Sequence, residues 1–459
     1  MSAIIRFLLL NLPGFEHAVS SVSINLGVAT IAAMIRRKGD NVELLDLNLY
    51  KDYLKVLQNK IDELKPQFIG FNICTPQFDM AKKLSEFIKS IDEKICIICG
   101  GSHATALPME VLKKTSIDII VLGEGDYTIL DILHNHPNKL EKIEGICFER
   151  DEHIIKTGNR SLIKDLDLLP YPALDLFEVE KYIYPSQSCK KNPVGLIETS
   201  RGCPGKCIFC SRLIGGRACR FKSPERVVKE IIYAHSIGFN EVHFADDNFT
   251  TDIKRAITIC DLLIENDINV PWVPRSGIRV DYVNRELFKK MAEAGCYHIP
   301  FGIESTSQRV LNICNKGITI EQIKNAIKMA KDFGFEVTGY FMIGLPEQTS
   351  EDIKRDVEFA EKIDLDFVKF GATIPYPGTP LFYKWKRENR ILTFDWSRYH
   401  YATNPFEIYT HPYLSIDDLD SIEITNRRLT DVLNLVLDKN LQPIIDPISI
   451  ENGDENDKG

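Results

Sequence analysis

The sequence predicts an α/β protein with two parallel sheets, and three observations support this fold class. Short apolar runs alternate with stretches of helical periodicity over residues 1–150, the alternation resumes after residue 195, and polar or glycine-rich residues follow the apolar runs in both parts. Such alternation is typical of parallel strands covered by helices. We expect an open sheet over residues 1–150, a linker over 151–195, a partial (β/α)6 barrel over 196–380 and a small, mainly helical region over 381–459.

Composition narrows the class of protein. The 459-residue chain is 44% hydrophobic and 26% charged with a net charge of -9, which is ordinary for globular domains and argues against a large nucleic-acid interface, since that would be basic. No apolar run approaches the roughly twenty residues that a membrane-spanning helix needs. Twelve cysteines scattered through a long chain favour a reducing, cytoplasmic compartment over a disulfide framework.

The first part contains strands and helices in alternation. The predicted strands are Ile4–Leu10, Val42–Leu45, Phe68–Phe71, Ile95–Cys99 and Ile117–Val121, and the predicted helices are Ser23–Lys38, Tyr53–Leu64 and Met80–Ile91. Open parallel sheets bind ligands beyond the carboxyl ends of their strands. Those ends carry Asn11–Gly14, Asp46, Cys74–Pro76, Gly100–His103 and Gly123–Asp126.

Glycine-rich strand ends let the backbone approach a flat or phosphorylated ligand closely. The alternative is that each is a tight turn without a ligand. A dinucleotide site of the usual kind is excluded, because no G-x-G-x-x-G motif follows the first strand.

Three cysteines, Cys203, Cys207 and Cys210, form the most specific motif of the chain. Their C-x3-C-x2-C spacing suits three corners of a [4Fe-4S] cube and leaves one iron open, because the next cysteine, Cys219, is out of register. A preceding strand, 194–200, places the loop at the mouth of the predicted barrel. The alternatives are inert buried cysteines and structural zinc, but zinc normally has four ligands and no second Cys or His pair follows.

Five further strands with polar ends complete the six strands of the predicted barrel. They are Glu241–Ala245, Trp272–Gly277, His298–Ile303, Glu336–Ile343 and Phe367–Thr373. Glu304, at one such end, is suited to accept hydrogen bonds from ribose hydroxyls, and Asp246 either binds polar groups or caps the next helix.

The remaining stretches connect or cover these units. Asp165–Pro172 is interrupted by proline and predicts a linker. Seven aromatic residues follow a predicted helix over Leu381–Glu388 and either line an apolar substrate pocket or cover the barrel as core. These residues are Phe394, Trp396, Tyr399, Tyr401, Phe406, Tyr409 and Tyr413. Ser415 is placed to cap a helix over Ile416–Leu437, and Glu451–Gly459 predicts a frayed tail.

The cysteine motif resembles the signature C-x3-C-x-aromatic-C of radical S-adenosylmethionine (SAM) enzymes, with Phe209 as the aromatic residue. The resemblance implies that the three cysteines bind a [4Fe-4S] cluster. It also implies that the open iron chelates SAM, whose reductive cleavage gives a 5'-deoxyadenosyl radical. SAM is then expected to contact Phe209, Glu304 and the less securely placed Asp246, Ser276 and Arg279. Alternatively, Arg279 pairs with Asp281 or Glu304.

Residues 1–150 resemble the Rossmann-like cobalamin-binding domain that precedes the barrel in one class of radical SAM enzymes. The motifs that carry the resemblance are Ile24–Gly27, Asp46–Asn48, Gly100–Thr105 and Gly123–Gly125. The D-x-H-x-x-G motif is absent around His17, so no histidine is expected below cobalt. The residues expected near the corrin are Thr75, Gly101, Ser102, His103, Glu124 and Gly125; the alternative for His103 is to stabilise a turn.

This resemblance implies a cytoplasmic enzyme that methylates an unactivated carbon or phosphorus centre of a small molecule, lipid or peptide, with an electron donor such as flavodoxin or ferredoxin. The alternatives are a non-methylating cyclisation, oxidation or rearrangement, and a protein that keeps the fold without cobalamin. A tRNA methylthiolating enzyme would carry extra cluster cysteines and a basic module, which this chain lacks. A non-enzymatic iron-sulfur sensor is the remaining hypothesis.

Overall fold

The first unit is a seven-stranded sheet. Its strands are β1 (Arg6–Asn11), β2 (Asn41–Asp46), β3 (Phe68–Asn72), β4 (Cys96–Gly100), β5 (Ile119–Val121), β6 (Ile146–Arg150) and β7 (His153–Lys156), and their order in the sheet is β2-β1-β3-β4-β5-β6-β7. The computed structural model describes residues 4–14, 23–185, 188–400 and 405–414. The five predicted strands are confirmed and pair in parallel, whereas β6 and β7 form an antiparallel hairpin that sequence reasoning missed. The sheet thus runs past the expected boundary at residue 150.

Helices cover this sheet because its strands are apolar on both faces. The three predicted helices are confirmed, and three shorter ones follow β4 and β5. They are α1 (Leu26–Arg37), α2 (Tyr53–Leu64), α3 (Phe78–Ile91), α4 (Gly101–Ala106), α5 (Pro108–Lys114) and α6 (Asp126–Asn135). The side chain of Asn25 caps α1 by accepting a hydrogen bond from the Val28 amide, which satisfies one of the free amides at the helix start.

The connecting segment packs against the first unit. The Ala173 amide donates to the Ala29 carbonyl on α1, and the Tyr182 hydroxyl donates to Asp46 Oδ2 at 2.5 Å. Because Tyr182 and Asp46 are both buried, this bond anchors the segment at the carboxyl end of β2.

The second unit contains six parallel strands in consecutive order, as predicted. They form two three-stranded groups. Parallel bridges join the two groups, between Trp272 and Cys296 and between Ile278 and Phe301. The strands are β8 (Val194–Ile197), β11 (Glu241–Phe244), β12 (Trp272–Pro274), β13 (His298–Glu304), β14 (Glu336–Ile343) and β15 (Phe367–Ala372), and a short antiparallel ribbon joins β9 (Ser200–Arg201) to β10 (Arg220–Phe221). The predicted partial (β/α)6 barrel is confirmed.

Seven helices accompany the barrel strands in the part of the chain that the structure describes. They are α7 (Pro224–Ser236), α8 (Ile253–Glu265), α9 (Arg285–Glu293), α10 (Gln308–Ile313), α11 (Ile320–Asp332), α12 (Ser350–Lys362) and α13 (Pro380–Arg387). None of the described helices is both long and apolar enough to cross a membrane.

Aromatic residues after α13 join the two units through a shared core. Trp396, Tyr399, Phe406 and Tyr409 are buried in the cluster that also contains one face of the first sheet, so the core interpretation holds for these four. Phe394 and Tyr413 are exposed. The expectations for Tyr401, Ser415, the helix over 416–437 and the tail over 451–459 lie outside the described residues.

Candidate active site

The cysteine loop is closed at its base by the β9–β10 ribbon. Gly202 has φ +88°, and a Cβ there would lie 2.6 Å from the Ala218 carbonyl oxygen. The Cys203 amide donates to the Gly216 carbonyl at 3.4 Å. Only glycine suits such a close approach in the left-handed region, so Gly202 lets the two limbs of the loop contact each other directly.

The three thiols lie close enough for their charges to affect one another. Cys203 and Cys207 are buried and Cys210 is half-buried. Burial raises the pKa of Cys210 to about 11, the neighbouring Arg212 lowers it, and Asp247, Cys207 and Cys203 raise it further. The Cys210 thiolate, the form that binds iron, is therefore disfavoured unless positive charge is supplied.

Two guanidinium groups flank the thiols and supply positive charge. A Cβ on Gly205 would lie 3.4 Å from both Cys203 Sγ and Arg212 Nη2, and 3.5 Å from Arg279 Nη1. The buried Nε of Arg212 has no hydrogen-bond partner among the described residues. This donor set suits a thiolate-ligated iron-sulfur cluster.

No group of three His, Cys, Asp or Glu side chains within the described ranges converges tightly enough to hold a single metal ion. The cysteine ligands of an iron-sulfur cube bind separate irons, so they need no such convergence.

Glu304, predicted to contact SAM, lies beside the cysteine loop. It ends β13 with φ 66°, and its Oε1 accepts a 2.6 Å hydrogen bond from Lys316 Nζ. Burial, together with Glu304 and Cys207, raises the pKa of the neighbouring Cys314 to about 12. The strained backbone, in a region that L-residues seldom adopt, is typical of functional positions.

Arg279 pairs with Asp281, as one alternative held, through bonds of 2.9 and 2.8 Å. Its own backbone amide donates to Asn248 Oδ1. Burial lowers the pKa of Arg279, but Asp281 and the neighbouring Cys207 and Cys203 together raise it. Arg279 is thus a fixed cation next to the cluster loop.

Asp246 binds backbone and hydroxyl groups of the strand that leads into the cysteine loop. Its buried carboxylate accepts hydrogen bonds from the amides of Thr199 and Ser200 at 2.6 and 3.1 Å and from the Thr199 hydroxyl. Asp252, not Asp246, caps α8. The helix-capping interpretation of Asp246 was wrong. Its carboxylate does bind polar groups, namely those that hold the strand leading into the cysteine loop, and its contact with SAM stays a prediction.

Two other predicted SAM contacts differ in burial. Ser276 is exposed in the turn after β12. Phe209 is half-buried and packs against the apolar group formed by Val310, Cys314 and Leu345. Phe209 therefore ties the cysteine loop to α10 and to the end of β14.

A cavity of about 380 Å³ lies between the carboxyl edge of the first sheet and the base of the cysteine loop. Four residues predicted to lie near a corrin line it, namely Gly101, Ser102, Glu124 and Gly125. Residues from the barrel unit line the opposite side, including Ser200, Arg201, Gly202, Gly215 and Asp247. Gly123 also lines the cavity, with φ +73° and open space where a Cβ would be. The glycine-rich wall of the cavity lets a bulky ligand approach the backbone closely.

His103 and Thr75, also expected near the corrin, are buried away from this cavity. His103 is 0% exposed, and its Nδ1 lies 3.3 Å from Thr75 Oγ1. The rings of Phe78 and Trp396 each lie 5.3 Å from the imidazole, centroid to centroid, and burial lowers the pKa of His103 to about 4. His103 packs beneath the C-terminal aromatic residues and does not line this cavity, and its contact with the corrin stays a prediction.

Two arginines that sequence reasoning missed join the units beside the cavity. Arg220 Nη1 lies 2.8 and 2.9 Å from the two carboxylate oxygens of Glu124. Arg201 donates to Glu124 and, at 2.8 and 3.1 Å, to both oxygens of Asp126. The sequence did offer a signal for the pair of Arg201 with Asp126. Arg201 lies two residues before Cys203, and Asp126 ends the Gly123–Asp126 motif.

Comparisons with known proteins agree with this architecture. The model of the radical SAM superfamily matches residues 197–360, and the B12-binding domain model matches residues 17–133. The uncharacterized methyltransferase PH0819 of Pyrococcus horikoshii is 34% identical over 402 residues, which cover 85% of this chain and 86% of that protein.

A second relative carries a different activity in its name. The anaerobic magnesium-protoporphyrin IX monomethyl ester cyclase of Rubrivivax gelatinosus is 28% identical over 393 residues, covering 83% of this chain and 68% of its own. The structure of the cobalamin-dependent SAM radical enzyme OxsB with aqua-cobalamin has a TM-score of 0.77 at 19% identity, and the match covers 94% of this chain and 68% of OxsB.

The matches and the two facing sites together define an enzyme whose cofactors are a [4Fe-4S] cluster, SAM and cobalamin. The chain belongs to the radical SAM superfamily and carries its barrel behind an N-terminal B12-binding domain.

Proposed function

We propose that this enzyme transfers a methyl group to an unactivated carbon or phosphorus centre of its substrate. The observation that carries the proposal is the shared cavity, because the glycine-rich strand ends Gly100–Ser102 and Gly123–Asp126 face the residues Arg201 and Gly202 at the base of the cysteine loop across it. The methyltransferase name of the relative from Pyrococcus horikoshii supports the same activity. The glycine-rich side of the cavity suits cobalamin as a methyl carrier. The side at the base of the cysteine loop suits the cluster and SAM as a radical source.

The chain's own residues bind and orient the reacting groups. Cys203, Cys207 and Cys210 would hold the cluster, and Arg212 and Arg279 would balance the negative charge of its thiolates. Glu304, fixed by Lys316, would accept hydrogen bonds from SAM. When bound, the cluster supplies an electron to SAM, and cobalamin supplies a carrier for the methyl group.

On the opposite side, the glycines of the first sheet would let a corrin approach the backbone closely. Glu124 and Asp126 hold Arg201, which fixes the distance between the two sheet edges. Rigid positioning of two reacting groups is a large source of rate acceleration.

The proposed partners are a small-molecule, lipid or peptide substrate and an electron donor such as flavodoxin or ferredoxin. All twelve cysteines are free thiols, which supports the proposal of a reducing, cytoplasmic compartment.

The test is a product analysis with anaerobically reconstituted enzyme, a chemical reductant and SAM bearing a trideuterated methyl group. The small-molecule fraction of the source cells serves as substrate. We expect one product that gains a labelled methyl group together with release of 5'-deoxyadenosine. Release of 5'-deoxyadenosine with an unlabelled product would overturn methylation.

The second candidate is a cyclisation, oxidation or rearrangement without net methylation, and the cyclase from Rubrivivax gelatinosus supports it. The same experiment distinguishes the two, because only methylation adds a CH2 unit to the product. An enzyme that released no 5'-deoxyadenosine on reduction would instead support a role as a sensor.

A further inference from the structure

The end of β13 has two backbone irregularities at Glu304. The pairing of β13 with β14 shifts register between Gly302 and Glu304, which marks a β-bulge. Glu304 itself has φ 66°, and the Ser305 amide donates to the Ile303 carbonyl at 2.9 Å. A hydrogen bond across one residue of positive φ is the pattern of the rare, strained γ-turn. The bulge and the turn together set the direction in which the Glu304 carboxylate leaves the strand.

Asp356, on α12, holds the two residues that directly follow Glu304. Its Oδ1 accepts hydrogen bonds from the Thr306 amide and, at 2.6 Å, from the Thr306 hydroxyl. Its Oδ2 accepts from the Ser305 hydroxyl at 2.9 Å. Asp356 is 1% exposed and Ser305 is 0% exposed, so water does not compete for these bonds. A strained backbone persists only where its surroundings hold it, and Asp356 supplies that hold here.

The same carboxylate also reaches the end of β14. Gln348 Nε2 donates to Asp356 Oδ2 at 3.2 Å and to the Met342 carbonyl at 3.1 Å. Gln348 Oε1 accepts from the amides of Gly344 and Leu345 at 2.8 and 3.1 Å. Gln348 is itself completely buried. Asp356 therefore ties the carboxyl ends of two neighbouring barrel strands to each other.

Stability alone does not explain a carboxylate at this position. Burial, opposed by hydrogen bonds from Thr306 and Ser305, raises the pKa of Asp356 to about 6, so the side chain is ionised above this pH and acts only as an acceptor. Its hydrogen-bond partners in the described part of the chain are the neutral groups of Ser305, Thr306 and Gln348. A buried charge without a cation is costly. The charge is of use where several donors must be held in one fixed arrangement.

We propose that Asp356 is a positioning residue for SAM, because it fixes the turn that aims the Glu304 carboxylate. The inference rests on the proposed function, which takes Glu304 as a SAM contact. Lys316 Nζ holds the tip of the same side chain at 2.6 Å, so Glu304 is fixed at both its backbone and its carboxylate. Such support of a binding group by a second layer of hydrogen bonds keeps it in the productive geometry. Without Asp356 the turn would relax and carry the carboxylate away from SAM.

The experiment compares SAM binding with SAM cleavage in the full chain carrying its reconstituted cluster. Equilibrium dialysis of the unreduced enzyme against radiolabelled SAM gives the Kd, since SAM stays intact without an electron. Formation of 5'-deoxyadenosine after reduction with dithionite gives kcat. Neither measurement needs a methyl acceptor, so neither depends on whether the net reaction is methylation.

We expect Asp356→Asn to raise the Kd for SAM about tenfold, in line with a misplaced charged hydrogen bond. The new amide group would meet the donors of Ser305 and Gln348 and would not accept from them. The value of kcat should change by less than about twofold, because uniform binding of SAM does not alter the chemical step. Asp366→Asn is the matched control and should leave the Kd unchanged. The Asp366 carboxylate also accepts from an amide of β14, that of Val337 at 2.7 Å, but at the opposite end of the strand.

A double variant separates positioning of Glu304 from a general effect on the fold. Glu304→Gln should itself raise the Kd about tenfold, because it removes the charge that accepts hydrogen bonds from SAM. If Asp356 acts through Glu304, Asp356→Asn should add less than about twofold in the Glu304→Gln background. Independent effects would instead multiply to about a hundredfold.

An unchanged Kd in Asp356→Asn would overturn the proposal, as would multiplied effects in the double variant. Iron content and circular dichroism report whether Asp356→Asn is folded. If it is not, Ser305→Ala replaces it, since this change removes one donor to Asp356, and an unchanged Kd then overturns the inference. An unchanged Kd in Glu304→Gln refutes the SAM contact of Glu304 and the inference with it. A raised Kd in both single variants, alongside a product without a new methyl group, supports the inference and refutes methylation alone.

Discussion

The two facing sheet edges differ in the kind of chemical group that they present. The first sheet presents glycine and small polar residues, such as Gly101, Ser102 and Gly123, around the cavity. The barrel presents three thiols flanked by Arg212 and Arg279. A flat ligand is held by shape and backbone, whereas a metal cluster is held by ligation. Cobalamin binding at the first edge should therefore tolerate small side-chain changes but weaken when bulk is added. Cluster binding at the barrel edge should be lost when a single ligand atom is removed.

The largest effect is expected at the barrel edge. Replacing Cys203, Cys207 or Cys210 by alanine removes an iron ligand, so formation of 5'-deoxyadenosine should fall more than the roughly 10–100-fold that is typical when an outer-shell partner of a metal site is lost. Iron analysis and the deoxyadenosine assay measure this. Cys219→Ala is the matched control, since Cys219 binds the Gly202 carbonyl and is expected to leave iron content unchanged. Zinc in place of iron would contradict the assignment.

The next largest effect is expected on stability, from removal of an ion pair that joins the two sheet edges. Arg220→Met leaves Glu124, whose side chain is 5% exposed, without its bidentate partner and should lower the free energy of unfolding by about 3 kcal/mol. Arg36→Met is the control, because the pair of Arg36 with Asp175 is 45% and 41% exposed and should contribute less than about 1 kcal/mol. Urea denaturation measures both. Equal losses in the two variants would show that the buried network does not hold the units together.

Acid sensitivity tests whether His103 is a packing residue. Its pKa in the folded protein is about 4, below its ordinary value of 6.5, so the unfolded chain binds more protons between these values. The contribution of neutral His103 to stability is therefore complete above about pH 6.5. It is lost as the pH falls toward 4, and the total loss is about 3 kcal/mol.

His103→Phe should remove this component. The loss of unfolding free energy between pH 7 and pH 4.5, followed by urea denaturation, should be smaller in this variant by about 2 kcal/mol. His153→Phe is the control because His153 is exposed on β7, and it should follow the natural protein. If His103→Phe and the natural protein shared one pH dependence, His103 would not be buried in its neutral form.

The smallest effect is expected from added bulk at the first edge. Ser102→Trp projects a large ring from a residue that lines the cavity and should weaken cobalamin binding about tenfold, because overpacking commonly costs about 1–3 kcal/mol. Corrin absorption after gel filtration measures retention, and iron content should stay constant. Ser90→Trp, on the exposed end of α3, controls for the added indole. Full retention of cobalamin in Ser102→Trp would place the corrin elsewhere.

Local patterns in the sequence were sufficient for most strands, the fold class and the cysteine motif. The bounds of β14 match the predicted Glu336–Ile343, because a run of apolar residues reports a buried strand without reference to the rest of the chain. The three cluster cysteines lie within one loop, so their spacing alone predicted a shared site. The hairpin β6–β7 was missed because its outer strand is partly exposed and short.

The tertiary structure alone decided what the polar side chains at the strand ends bind. Asp246 is bound by Thr199, 47 residues earlier, Glu124 by Arg220, 96 residues later, and His103 is covered by Trp396. Each side chain has several chemically reasonable partners, and which one it meets depends on how distant strands and the C-terminal aromatic residues dock. Ligands that share one loop can therefore be identified from spacing, whereas partners that only docking brings together cannot.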